Sequence, residues 1–130
     1  MTHAAPIVAI VENDGPMLKA LERLLRASGY AAEMFASAEL FLARQAAPSV
    51  GCLILDIDLG GISGIELQQS LVDTGRAPPI IFVTSQADGD LRERAFALGC
   101  LAYLRKPFAS QELLDVLRRI PAMFTHAARP

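Results

Sequence analysis

No charge of one sign dominates the 130 residues, in which 14 acidic side chains against 12 basic ones leave a net charge of −2. This balance removes the electrostatic reason to expect nucleic acid as the main partner, because domains that bind it carry basic arms or stripes. Long apolar runs are also missing. The longest stretches, around Leu53 and over Ile80-Ile81-Phe82-Val83, fall far short of the roughly 18 residues that a membrane span requires. Met1-Thr2-His3 opens no signal peptide, so the expectation is a cytoplasmic protein without a membrane partner. Cysteine is scarce. Cys52 and Cys100 match no close-spaced metal pattern, and each is expected at the start of a strand as a small, reduced, buried hydrophobe. His3 and His126 lie near the two ends without partners that would suggest a catalytic or metal role.

What the chain does carry is apolar content, 52% hydrophobic against 20% charged, enough for one globular domain. By size scaling, such a domain hides roughly two-thirds of its unfolded surface without staples. Strand-like and helix-like segments alternate along it. Strands are expected over Pro6 to Val11, Ala31 to Phe35, Gly51 to Asp56, Pro79 to Thr84 and Leu101 to Leu104. Helical periodicity fills the gaps. Met17, Leu21, Leu24, Leu25 and Ser28 recur at three and four residues; Leu40, Phe41 and Leu42 follow Ser37; Ile65, Leu67, Leu71 and Val72 come next. Leu91, Ala95 and Leu98, then Leu113, Leu114, Leu117 and Ile120, mark the last two. Strands separated by single helices are parallel neighbours joined by right-handed crossovers, which predicts an α/β sandwich with a five-stranded parallel sheet between two helix layers. The domain is expected to run over residues 6–120, with 121–130 as a tail of lost periodicity, frayed or partly docked.

Open parallel sheets place their chemistry at the carboxyl ends of the strands. There the first strand ends in Glu12-Asn13-Asp14, the third in Asp56, the fourth in Thr84-Ser85 and the fifth in Arg105-Lys106-Pro107-Phe108. Crowded carboxylates repel one another and are relieved by protonation or a bound cation. Oxygen-only ligands point to a hard ion such as Mg²⁺. A lysine, a hydroxyl and a metal facing one carboxylate form a cradle for a phosphoryl group, with Asp56 as the nucleophile and an aspartyl phosphate as the product. Taken singly, each residue has a plainer explanation. Asp56 alone caps a turn, Lys106 alone is a solvated lysine, and Glu12-Asn13-Asp14 alone is a helix-capping turn before Pro16. Thr84 alone is a β-branched strand residue, and Tyr103 alone is simple packing.

Together these residues resemble the receiver domain of two-component response regulators, the CheY-like superfamily. The resemblance runs from Val8 to about Ile120. It rests on the acidic cluster after strand one, Leu-Asp-x-x-Leu-x-Gly-x-Ser-Gly around Asp56, Val-Thr-Ser ending at Ser85, and Lys-Pro-Phe from Lys106. In motif the chain is most similar to the FixJ/NarL-type branch. The resemblance implies a flavodoxin-like (βα)5 fold with strand order 2-1-3-4-5. It implies a phosphorylation-activated switch of a two-component system or phosphorelay, not a turnover enzyme. Asp56 would accept phosphate from a histidine kinase or histidine phosphotransfer protein. Glu12, Asn13, Asp56 and the backbone carbonyl of Asp58 would hold Mg²⁺. Thr84 and Lys106 would bond the phosphoryl oxygens, and the Lys106–Pro107 bond would be cis. Thr84 and Tyr103 would form the switch that changes the surface of helix four, strand five and helix five. The readers of that surface would be a downstream protein or an effector domain outside this chain, with the domain monomeric or dimerising on phosphorylation.

Three positions depart from the family pattern. Asn13 stands where an aspartate is usual, which removes one negative charge from the metal site. Glu12 offers a longer side chain than the common aspartate, and Gly60 replaces a common proline, leaving the loop after Asp56 less rigid. Two other functions are set against the receiver. Asp56-Ile57-Asp58 also resembles the nucleophile motif of haloacid-dehalogenase-type phosphatases, although Leu59 follows it and two βα units precede it. A phosphorylation-independent pseudo-receiver that serves as a binding module is the other, and Asn13 is the residue that speaks for it.

Overall fold

Short apolar runs bounded by turns become strands when both faces are covered, and the five runs of this chain do so. The computed structural model describes residues 6–45, 48–121 and 123. Its elements are β1 (Ile7–Val11), α1 (Gly15–Ala27), β2 (Ala32–Phe35), α2 (Ala38–Leu42), β3 (Val50–Leu55), α3 (Gly64–Asp73), β4 (Ile80–Thr84), α4 (Gly89–Ala97), β5 (Ala102–Arg105) and α5 (Ser110–Leu117). The strands form one parallel sheet, as the alternating pattern predicts, and its order β2-β1-β3-β4-β5 is the one the family resemblance implies. Strand ends differ from expectation by about one residue. β5 runs on to Arg105 because Arg105 stays in register with Thr84 and the Lys106 N–H still donates to the Thr84 carbonyl.

Alternate strand residues feed two separate cores. Val8, Ile10, Cys52, Ile54, Ile81 and Val83 face Leu18, Leu21 and Leu25 of α1 and Leu113, Val116 and Leu117 of α5. Ile7, Ala9, Val11, Leu53, Leu55, Ile80 and Phe82 face Phe41, Ile65, Leu67, Leu71 and Ala95 of the other three helices. Both cysteines are free and buried, and burial raises both thiols, Cys100 to about 11, so they stay protonated.

The helices correct several details of the expected pattern. In α1 the buried face is Leu18, Leu21 and Leu25, with Met17 and Leu24 at its margin. α2 is a helix of 5 residues that buries Ala38 and Phe41, leaving Leu40 and Leu42 exposed, because so short a helix turns only one narrow stripe inward. Val72 is likewise exposed, and in α3 it is Gln68 that goes inside. Beyond the turn at residues 118–120, Pro121 and Met123 are helical again, and Met123 is wholly buried against Gly51 and the α1–α5 core. His3, His126 and the rest of the tail lie outside the described residues.

α3 begins close beneath the end of β3. The Gly64 N–H donates to the Ile57 carbonyl at 2.8 Å, and Ser63 with Glu66 forms a reciprocal cap. A Cβ on Gly64 would collide with the Asp56 carbonyl oxygen. Gly64→Ala therefore has to push α3 away from β3, and the expected cost is about 1–3 kcal/mol. A urea-unfolding midpoint equal to wild type would contradict this close approach.

Candidate functional site

Backbone ladder bonds fix the root of three of the site residues before their side chains are considered. The Glu12 N–H donates to Phe35, the Asp56 N–H to Val11, and the Lys106 N–H to Thr84, at 3.0, 3.0 and 2.9 Å. Each residue is thus the last one tied to its neighbouring strand. Because the strands are parallel, the side chains all emerge at one edge.

Glu12, Asp56 and Thr84 are three of the four buried polar side chains among the described residues, the fourth being Gln68. Burial of unpaired carboxylates is costly, and Lys106 supplies the partner. Its Nζ donates to Glu12 Oε1 at 2.5 Å and to Asp56 Oδ2 at 3.1 Å. The other oxygens are held by backbone: Asp56 Oδ1 accepts from the Ile57 N–H at 2.7 Å, and Glu12 Oε2 accepts from the Asp14 N–H at 3.2 Å. The acidic turn does lead into α1 with Pro16 in the first turn. Asp14 occupies the capping position without a side-chain cap bond.

Two carboxylates and one ammonium leave the cluster short of positive charge. Burial raises the Glu12 carboxyl above its ordinary value of 4.5; the Lys106 hydrogen bond opposes this, and the neighbouring Asp56 charge adds to the rise. Burial alone would lower Lys106, but its bonds to Glu12 and Asp56 outweigh this and hold it above 10.5. No three His, Cys, Asp or Glu side chains come together as a metal cluster among the described residues. The two carboxylates nonetheless carry residual negative charge, and the residues that follow them in the chain, Asn13 and Asp58, bring further oxygen donors to the same edge. That chemistry suits a hard dication that keeps several of its waters. Asn13 and Asp58 are both exposed at the rim, and the Asn13 amide nitrogen lies 3.8 Å from where a Gly60 Cβ would stand.

Thr84 is fully buried, and its Oγ1 accepts from the Gln86 N–H at 3.1 Å. Tyr103 lies half-buried one strand away. Its ring packs on Phe82 with centroids 5.9 Å apart, and its hydroxyl donates to the Gln86 carbonyl at 3.4 Å. The two side chains therefore share one loop residue, Gln86. The Lys106–Pro107 bond is cis. Sequence reasoning brought together Glu12, Asp56, Thr84 and Lys106, and the fold does the same. It missed the direct Glu12–Lys106 pair, which spans 94 residues and has no local signal. It also missed Glu39, whose carboxylate reaches the loop after Asp56.

The family model described as response regulator receiver domain matches residues 8–118. The chain belongs to that family. It is 35% identical to the response regulator protein TodT of Pseudomonas putida over 118 residues, which cover 91% of this chain and 52% of that protein. It is 37% identical to a response regulator receiver protein from Burkholderia phymatum of known crystal structure, with a TM-score of 0.75 over 88% of this chain and 94% of the other. A CheY-like receiver domain protein from Methanospirillum hungatei shares the fold at a TM-score of 0.83 and 24% identity, over 94% and 98% of the two chains. The chain spans about half the length of the curated relatives it matches. The receiver fold and the two-component assignment expected from the motifs are borne out, and the phosphatase alternative falls with them.

The charge arrangement of this receiver domain has a signed pH dependence. Glu12 titrates above its unfolded value, so its neutral form favours folding and its ionisation lowers stability as pH rises from 4.5 through the folded value. Lys106 titrates above 10.5, so its contribution is complete below that pH and is lost as pH rises through the folded value. Lys106→Met leaves both carboxylates unneutralised and is expected to cost about 3 kcal/mol near neutral pH in the absence of divalent cations. The deficit against wild type shrinks on acidification through the Glu12 range. Paired urea titrations across that range check this, and a deficit independent of pH would contradict it.

Proposed function

We propose that Asp56 is the phosphoacceptor of this receiver domain and that Thr84, Lys106 and Tyr103 convert its phosphorylation into a change of surface. The observation that carries the reading is Lys106 Nζ bonded at once to Asp56 Oδ2 and Glu12 Oε1, which holds a positive charge beside the carboxylate that would bear the phosphoryl group. In the transfer, an Asp56 carboxylate oxygen forms a bond to phosphorus. The bond from phosphorus to the imidazole nitrogen of a phosphohistidine on a kinase or phosphotransfer protein breaks, and the electron pair leaves with the imidazole. Asp56 Oδ1 is fixed by the Ile57 N–H, so Oδ2 is the oxygen presented toward Lys106. Lys106 moves from balancing two carboxylates to bonding a phosphoryl oxygen. Glu12, Asn13, Asp56 and the Asp58 carbonyl would hold Mg²⁺, which offsets negative charge on the phosphoryl oxygens when bound.

Thr84 then gives up its bond with the Gln86 N–H to donate to a phosphoryl oxygen. Tyr103, bonded to the same Gln86, is released to move inward, and the equilibrium between two surfaces shifts. The changed face would be α4, β5 and α5, where Phe96 is exposed beneath the Arg92 guanidinium, 4.9 Å from the ring centroid. Its reader would be a downstream protein or an effector domain of a longer regulator, in a cytoplasmic setting. The domain would catalyse its own phosphotransfer and slow dephosphorylation without turning over a separate substrate.

Intact mass after incubation with acetyl phosphate and Mg²⁺ tests the reading. Wild type is expected to gain one phosphoryl group and Asp56→Asn none; no gain at any Mg²⁺ concentration, with or without a histidine-phosphorylated donor, would favour the pseudo-receiver. Asn13 lowers the ligand charge, so Asn13→Asp is expected to reduce the Mg²⁺ needed for half-maximal phosphorylation severalfold. An unchanged requirement would remove Asn13 from the metal site.

A further inference from the structure

Glu39 stands in the first turn of α2, far in sequence from the loop after the acceptor aspartate, yet its Oε2 accepts from the Ile62 N–H at 3.2 Å. α2 is placed firmly enough to aim it. Ser37 caps the helix by accepting from the Leu40 N–H, Ala38 and Phe41 are buried, and the Phe41 ring meets Phe35 edge-on at 5.4 Å. The loop is shaped to receive it. A Cβ on Gly61 would stand 2.5 Å from Glu39 Oε2 and 3.3 Å from its Cδ, so a side chain there would displace the carboxylate. On its other flank the loop turns at Gly60, where φ is +85°, in the region that favours glycine, beside the Asn13 amide.

The far end of the same loop is already pinned by the Ser63–Glu66 cap and by the Gly64 N–H on Ile57. The segment from Asp58 to Ile62 is left with two consecutive glycines and no proline to stiffen it. At Ile62 it is restrained by the charge-assisted bond that the Ile62 N–H donates to the Glu39 carboxylate.

We propose that Glu39 is a positioning residue: by holding Ile62 against α2 it sets the β3–α3 loop and, through it, the Asp58 carbonyl as a cation ligand. The proposal deepens the receiver reading and rests on the role given there to Asp58. It assigns Glu39 no contact with the phosphoryl group or with the cation. The pair Glu39 and Gly61 acts as a unit, because the glycine leaves the space that the carboxylate fills.

The test uses the whole chain with MgCl₂ alone as the probe, followed by amide NMR, together with hydrogen exchange of the Ile62 amide. Glu39→Ala is expected to speed Ile62 exchange about tenfold, the loss of one such bond, and to weaken Mg²⁺ binding severalfold. Glu39→Gln, which keeps an acceptor oxygen, recovers most of both. Gly61→Ala acts in the same direction but adds little in the Glu39→Ala background, where the obstructing carboxylate is gone. Unchanged Ile62 exchange in Glu39→Ala overturns the clamp; faster exchange with unchanged Mg²⁺ affinity overturns the positioning role. Both readouts are independent of phosphorylation, so a wild type that takes no phosphate counts against the receiver reading alone and leaves the role of Glu39 to be decided by exchange and Mg²⁺ affinity.

Discussion

A parallel sheet covered on both faces has no room for an unpaired polar side chain except at its strand ends, and this constraint organises the molecule. The two apolar cores take alternate residues of every strand until the strands run out. Beyond them come Glu12, Asp56, Thr84 and Lys106, all at one edge because all five strands run the same way. Lys106, at the end of β5, reaches Asp56 two strands away and Glu12 three strands away, with strands about 4.8 Å apart. Its amino group binds the edge together. Without it, two carboxylates would share a buried site with no opposing charge.

That same arrangement is what would make the site responsive in the proposed switch. Lys106 divides one positive charge between two acids, so a phosphoryl group on Asp56, as proposed, would compete directly for a bond that Glu12 now holds. Thr84 and Tyr103 are coupled by contact with a single residue, Gln86, through its N–H in one case and its carbonyl in the other. In the proposed switch, a change at Thr84 would therefore reach Tyr103 through this shared residue. α4 is the helix least anchored beneath this region, with Ala95 its one fully buried residue. Gln68 ties it down from below by donating to the Ala95 carbonyl at 2.9 Å, while the Gln68 Oε1 is buried without a partner among the described residues.

Legibility in the sequence followed the range of the interaction. Strands, their parallel arrangement and their carboxyl ends were readable because a buried parallel strand is a local apolar run and single-helix crossovers make neighbours parallel, whereas their order came from the family resemblance. Asp56, Thr84 and Lys106 could be gathered because each lies directly at the end of such a run. Helix faces were less readable. The short α2 presents Leu40 and Leu42 to solvent against their apolar character, and Gln68 enters the core because α4 offers it a carbonyl that no local pattern announces. Met123 is buried by a groove over Gly51 that exists only after folding. Glu39 escaped notice for the same reason: its partner is a backbone N–H in another element, and Gly61, the matching signal, reads in sequence as mere loop.

Among the carboxylates at this edge, Asp56 is the one proposed to form the acyl phosphate, and the whole switch depends on it. Borohydride reduces an acyl phosphate to the alcohol, so treatment of the phosphorylated chain and subsequent peptide mapping mark the acceptor covalently. Homoserine is expected at position 56, with Glu12 and Asp58 unmodified. Reduction at Glu12 or Asp58, with Asp56 intact, would contradict the assignment.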